Sequence, residues 1–194
     1  MNSASASEDE LVRRINSLYL TVILRYKESI EQGEALYIPD LPRLVEPENK
    51  SVVVLADSIK GEFDGYSYER DFERAAKSAY DYIRGHVSTV SLPIQFWQKP
   101  DETLDNKIGD AFDKSTLFCS ILAALGSASA KVVLVVDGSK DVAVFFSSAR
   151  EVVFYKFDDE NPKALPDVDA VRSLMQKSDD AQVYAFNSIS CVSL

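Results

Sequence analysis

Histidine and cysteine are the scarcest chemically reactive residues in this 194-residue chain, which holds one histidine, His86, and two cysteines, Cys119 and Cys191. Two thiols cannot build the disulfide framework of a small secreted domain, and they fit no four-ligand zinc pattern. A single imidazole also leaves little for acid–base or metal chemistry based on histidine. We therefore predict no disulfide, no metal site, no cofactor and a cytoplasmic location.

Long apolar runs and excess positive charge are absent as well. The densest apolar run near the N-terminus, residues 18–24, contains Thr21 and ends at Arg25, so it is far too short to span a bilayer. The first ten residues are polar and acidic, without the basic start and apolar stretch of a signal peptide. The net charge is −10, and an acidic surface repels phosphate backbones. The sequence predicts neither a membrane nor a nucleic-acid partner.

The composition that remains is that of one globular domain, with 46% apolar and 27% charged residues. We predict a disordered leader over residues 1–7 and a single domain over residues 8–194. Its first element is an amphipathic helix over residues 8–33, because apolar residues recur at spacings of three and four up to Ile30 and Gly33 follows. This helix either packs on its own domain or serves docking and dimerisation.

Helical patterns dominate the first two thirds of the chain and strand patterns the last third. Residues 68–85 predict an amphipathic helix, and residues 113–125 are apolar on most of the helix circumference, which indicates central burial. Helices followed by an antiparallel sheet define an α+β fold class. The predicted strands are 131–137, 142–146 and 152–157, with 182–186 and 189–194 as edge strands.

The segment that carries chemistry is Gly109-Asp110-Ala111, a tight turn that delivers Ala111 to the N-terminus of the buried helix. A cysteine there would feel the positive end of the helix dipole and would ionise easily. A histidine from a neighbouring strand, oriented by a carboxylate, would complete a Cys–His–Asp system. The methyl group of alanine cannot attack an acyl carbon.

Residues 96–126 resemble the transglutaminase-like domain of the papain-type cysteine-enzyme superfamily. That family has an aromatic-Trp-Gln-x-Pro-x-Glu-Thr-Leu lead, then Gly-Asp-Cys-x-Asp-Lys/Phe and an apolar helix ending in Leu-Gly. This chain reads Phe-Trp-Gln-Lys-Pro-Asp-Glu-Thr-Leu from Phe96 and Gly-Asp-Ala-Phe-Asp-Lys from Gly109. The resemblance spans residues 68–158. It implies a papain-like core in which the buried helix packs on an antiparallel sheet, here with an added N-terminal helix.

The chain departs from the family at two of the three catalytic positions. Ala111 stands at the nucleophile, and Val142, or Asp141 with a one-residue shift, stands at the histidine. Asp158 matches the orienting carboxylate. Because an engineered loss of the nucleophile alone would have spared the histidine, the double loss indicates a natural non-enzyme.

The resemblance thus implies a catalytically inactive protein that binds an unidentified protein or peptide, or a small anion at the amides after Gly109. One alternative is homodimeric assembly through the N-terminal helix. Another is a hydrolase that uses the carboxylates of Asp110, Asp113 and Asp158, although helix capping explains the first two equally well. The candidate cleft consists of Trp97, Gly109, Asp110, Ala111, Phe112, Asp113 and Val142.

Overall fold

The computed structural model describes residues 3–32, 37–90, 97–136, 141–176, 178 and 180–194. Its helices are α1 (Ser3–Gln32), a 3-10 helix (Ile38–Leu44), α2 (Lys50–Lys60), α3 (Tyr68–His86), α4 (Pro100–Asn106), α5 (Ala111–Ala124) and α6 (Val168–Met175). Its strands are β1 (Ser88–Thr89), β2 (Ile108–Gly109), β3 (Lys131–Val136), β4 (Val142–Ser147), β5 (Val152–Tyr155), β6 (Lys163–Leu165), β7 (Gln182–Phe186) and β8 (Cys191–Ser193).

Six strands form one antiparallel sheet in the order β6-β5-β4-β3-β7-β8. The central strand β3 is buried on both faces, and Val132 faces one hydrophobic cluster while Val133 faces another. Alternate side chains of a strand point to opposite faces, so a strand covered on both sides is a continuous apolar run. This explains why β3 reads Lys-Val-Val-Leu-Val-Val.

Helix α5 packs on the sheet at β3 and β4 and is surrounded by α2, α3 and α4. Its residues from Phe112 to Leu122 are all buried, including polar ones such as Ser115 and Ser120. The opposite face of the sheet is covered by α6 through Val171 and Met175. The predicted α+β class, with a buried helix packed on an antiparallel sheet, is therefore confirmed.

Helix α1 packs beside a separate pair of parallel strands, β1 and β2. Leu18 and Val22 of α1 form a small buried cluster with Ile108 of β2. The helix begins at Ser3, earlier than the predicted start at residue 8, and the helix formers Ala4 and Ala6 lie in its first turns. The disordered leader stays a prediction. The predicted stop at Gly33 lies outside the described residues.

Strand β7 is also placed differently from the prediction, because it lies between β3 and β8 rather than at an edge. Val183 and Phe186 are buried on opposite faces of the sheet, as an interior strand requires. The final strand β8 forms that edge and pairs three residues with β7, from Tyr184 opposite Ser193 to Phe186 opposite Cys191. None of the described helices combines the length and the apolar character needed to cross a bilayer.

Candidate functional site

The N-terminus of α5 is closed by a reciprocal pair of aspartates. The side chain of Asp110 accepts hydrogen bonds from the amides of Phe112 at 2.8 Å and Asp113 at 2.9 Å. The carboxylate of Asp113 in turn accepts the amide of Asp110 at 3.0 Å. Gly109 precedes them because a Cβ there would stand 3.0 Å from the Cβ of Asp113. This is a capping box, which satisfies N–H groups that the helix itself leaves free.

Asp113 also anchors the segment that enters the site. Its carboxylate accepts the backbone amide of Gln98 at 2.8 Å and the side-chain amide of Gln98 at 3.1 Å. Gln98 in addition donates to the carbonyl of Ile108 and accepts from Asn106. Gln98 and Asp113 are fully buried, so this network sits in a low-dielectric interior where each bond matters for folding.

Opposing effects act on the pKa of Asp113, and their net result is a rise. Burial raises the pKa of Asp113, the charge of Asp110 adds to that rise, and the N–H donors of Gln98 and Asp110 oppose it by stabilising the ionised form. No arginine or lysine is within ion-pairing distance of this carboxylate among the described residues. The two aspartates therefore serve as helix caps and loop anchors, which favours the capping interpretation over carboxylate catalysis.

The capping box overturns the expectation that a small anion binds at the amides after Gly109. The amides of Phe112 and Asp113 are already bonded to Asp110, and the amide of Lys114 donates to the Asp110 carbonyl at 3.1 Å. The anion at this helix terminus is the protein's own carboxylate.

Ala111 and Val142 lie where the helix and the sheet meet. Ala111 is the first residue of α5 and is half-buried, while Val142 at the start of β4 is buried. Both belong to the hydrophobic cluster on the α5 side of the sheet, together with Phe112. Val142, which the resemblance matches to the family's histidine, thus packs into the core.

Asp141, the alternative match to the family's histidine, forms an ion pair. Its carboxylate pairs with the ammonium of Lys156 at 2.6 Å. Tyr155 and Phe157, on either side of Lys156, belong to the α5-side cluster. Asp158, which follows in the turn after β5, is exposed.

Trp97 forms the aromatic wall beside Ala111. Its ring stacks on Phe112 with centroids 5.2 Å apart, and Phe112 stacks on Phe186 at 6.1 Å. The Trp97 carbonyl accepts a hydrogen bond from Arg25 of α1 at 2.6 Å, and Arg25 also pairs with Glu102. Helix α1 is therefore tied to the entrance of the site, a link that the sequence did not reveal.

The candidate cleft residues divide by exposure. Gly109, Phe112, Asp113 and Val142 are buried and cannot contact a ligand without rearrangement, whereas partial exposure remains at Trp97, Asp110 and Ala111. A ligand that approaches this site would meet an indole, a carboxylate and a methyl group.

The environments of the two cysteines and the histidine do not resemble that of a catalytic thiol–imidazole pair. Cys119 is fully buried, and burial raises its pKa to about 12, as expected of a small core residue. Cys191 is half-buried on β8, and burial raises its pKa too. His86 is the exposed last residue of α3, where its Nδ1 lies 2.9 Å from the Tyr82 carbonyl and its ring stacks on Tyr82. Within the described ranges no three acidic, cysteine or histidine side chains form a metal-binding group.

One polar residue escaped the sequence analysis. Lys114, one turn into α5, is buried, and its Nζ donates a 2.6 Å hydrogen bond to the hydroxyl oxygen of Thr89. The only sequence signal was a lysine inside an otherwise apolar helix.

Comparison with known proteins reveals similarity in structure alone. No family model and no curated protein matches the sequence. EGTA-treated LapG of Legionella pneumophila superposes with a TM-score of 0.53 and 14% identity over 74% of each chain. Its calcium-bound form gives 0.52 and 15% identity over 74% of this chain and 76% of that one. A candidate protease of Parabacteroides distasonis gives 0.52 and 15% identity over 78% of this chain but 29% of its own.

The chain has a papain-like α+β core. This is the transglutaminase-like arrangement that the Trp-Gln and Gly-Asp segments predict, and it agrees with the fold of LapG. At such low identity the likeness extends to the fold and does not carry over the neighbours' activities.

Proposed function

We propose that this chain lacks the cysteine-type catalysis of the family it resembles and works by binding a protein or peptide beside the start of α5. One observation supports this proposal. The hydrogen-bonded network of Gln98, Asp113 and Asp110 is complete, while Ala111 stands at the first residue of α5, where the family has its nucleophile. A thiolate is the nucleophile in this type of acyl transfer, and a methyl group offers no substitute.

The partly exposed Trp97 supports a binding role. An indole that lies beside half-buried Ala111 offers a large, rigid contact surface with one N–H donor. Its attachment to α1 through Arg25 fixes the position of its backbone in advance, which lowers the entropic cost of binding.

A photo-crosslinking amino acid at position 111 tests this proposal in cells. We expect adducts with a small set of proteins or peptides, identified by mass spectrometry, and none from the same crosslinker at exposed Ser173 on α6, the matched control. Absence of adducts at position 111, or the same adducts at both positions, would contradict a binding site there.

Self-association through α1 is a second candidate, which a specific observation favours. Among the side chains of α1 that the structure describes, six large apolar ones are exposed, at Leu11, Val12, Tyr19, Leu20, Leu24 and Tyr26. Val12, Tyr19 and Tyr26 are spaced by seven residues, as in helices that pair lengthwise. If this face pairs with a second copy, Leu20→Glu with Leu24→Glu should shift the full chain from dimer to monomer in sedimentation velocity. A wild-type monomer would end this candidate.

We also propose that the protein is located in the cytoplasm. Both cysteines are free thiols, which fits the reducing conditions of the cytoplasm. Fractionation of cells that express the tagged chain would test it.

A further inference from the structure

A hydroxyl and an amine meet beside the vacant nucleophile position. Thr89 of β1 pairs in register with Gly109 of β2, so it lies next to the residue that precedes the α5 cap. The Nζ of Lys114, three residues after Ala111, is 2.6 Å from the Oγ1 of Thr89. Thr89 is exposed and Lys114 is 4% exposed, so the hydroxyl is open to solvent while the amine behind it is not.

Burial of Lys114 works against the charged form of its amine. Its contacts within the described chain are the Thr89 hydroxyl and the ring of Phe157, whose centroid is 6.0 Å away, and no carboxylate lies within ion-pairing distance. Burial lowers the pKa of Lys114, and among the charges that face it Asp158 and Asp110 raise the pKa while Arg84 lowers it further. A buried lysine of this kind can act as a general base.

We propose that Thr89 and Lys114 form a nucleophilic pair that accepts an acyl group from activated esters or thioesters. Lysine takes the place of histidine in known hydroxyl–lysine variants of the catalytic triad, so the roles are chemically sound. This inference goes beyond the proposed binding role and concerns a different nucleophile, so either one can fail without the other.

p-Nitrophenyl acetate is a suitable acyl donor for this pair. Neutral Nζ of Lys114 takes the hydroxyl proton as Oγ1 of Thr89 bonds to the acyl carbon, and the bond from that carbon to the phenolate oxygen breaks. The products are an acetyl ester on Thr89, the Lys114 ammonium and p-nitrophenolate, which leaves with the bonding electron pair. No oxidant or metal is needed.

The same geometry explains why the donor must be activated. The amides of Phe112 and Asp113, which could stabilise an oxyanion at this helix start, are occupied by Asp110. Without that stabilisation, worth about 100-fold or more per donor in rate, a peptide amide is too poor an acyl donor. A good leaving group compensates for the missing donors.

Acetylation of the full chain by p-nitrophenyl acetate tests the proposal. We expect a burst of p-nitrophenolate and an acetyl group on Thr89 in peptide mass spectrometry, with a burst rate that rises with pH and levels off below the ordinary lysine pKa of about 10.4. Thr89→Val and Lys114→Met should each lower the burst rate by about 100-fold. Thr89→Ser should retain it, and Ser88→Ala, the adjacent exposed hydroxyl, should leave it unchanged.

Circular dichroism identifies any loss of folding in Lys114→Met or in Thr89→Val, which removes the hydrogen-bond partner of Lys114. If either variant unfolds, the position of the acetyl group in the wild-type chain decides the matter. Acetylation confined to surface lysines, or a Thr89→Val burst equal to that of wild type, would overturn the proposal.

Discussion

The two sides of the candidate site differ in polarity. At the start of α5, polar side chains form hydrogen bonds with one another, whereas strand β4 contributes the apolar side chain of Val142. Asp113 and Gln98 keep their hydrogen bonds on the helix side. On the sheet side, Val142 packs into the hydrophobic core. Under the proposed loss of catalysis, the residues at this site that also stabilise the fold are kept, whereas Ala111 and Val142, which the resemblance assigns to acyl transfer, are apolar.

The largest expected effect concerns the helix side. Asp113→Ala leaves the amide of Asp110 and two N–H groups of Gln98 without partners in the interior, so we expect the free energy of unfolding to fall by about 3–5 kcal/mol. Urea denaturation measures it. Exposed Asp169→Ala on α6 is the control, and a loss for Asp113→Ala below about 1 kcal/mol would show that this network is dispensable.

On the sheet side, introducing histidine at position 142, as in the family that the chain resembles, should destabilise the fold. Val142→His buries an imidazole in an apolar cluster without a hydrogen-bond partner, which should lower the free energy of unfolding by about 2 kcal/mol or more. Thermal and urea denaturation check this. A neutral result would mean that the sheet side retains space and polarity for a histidine.

The pH dependence of stability distinguishes two buried aspartates. Because Asp113 has a raised pKa in the folded state, its contribution is fully present below the ordinary aspartate range and is lost as pH rises above it. Asp71, bonded to Arg70 and Arg74, has a lowered pKa, so its contribution is present above that range and is lost as pH falls below it.

Urea titrations of Asp113→Asn and Asp71→Asn across pH 3–8, a window that brackets the ordinary aspartate pKa, should therefore differ from wild type in opposite directions. The same pH trend in both variants would contradict the assignment.

The smallest expected effect is that of Ala111→Cys. Position 111 is half-buried at the start of a helix that is already capped, so we expect the free energy of unfolding to change by no more than about 0.5 kcal/mol. A change above about 2 kcal/mol would show that the packing around position 111 leaves no room for a cysteine side chain.

Much of the core was predictable because burial on all sides leaves an unambiguous pattern. The apolar circumference of α5, the Asp110 cap and the valine-rich runs of β3 and β4 each identify an element locally. The position of β7 was not predictable, because its apolar residues indicate burial but not which strand it pairs with.

The site was predictable only in part for a similar reason. The Gly109–Asp113 turn is contiguous in sequence, so its capping chemistry could be anticipated. The contact of Thr89 with Lys114 joins residues 25 positions apart, and that of Arg25 with Trp97 joins residues 72 apart. Tertiary packing alone brings such pairs together.

The central claim, that no thiol acts as a nucleophile here, is tested most directly by assaying the natural chain for peptide hydrolysis and glutamine transamidation. At high protein concentration we predict turnover indistinguishable from that of the His86→Ala and Cys191→Ala variants. Turnover in the natural chain that disappears in either variant would contradict the claim.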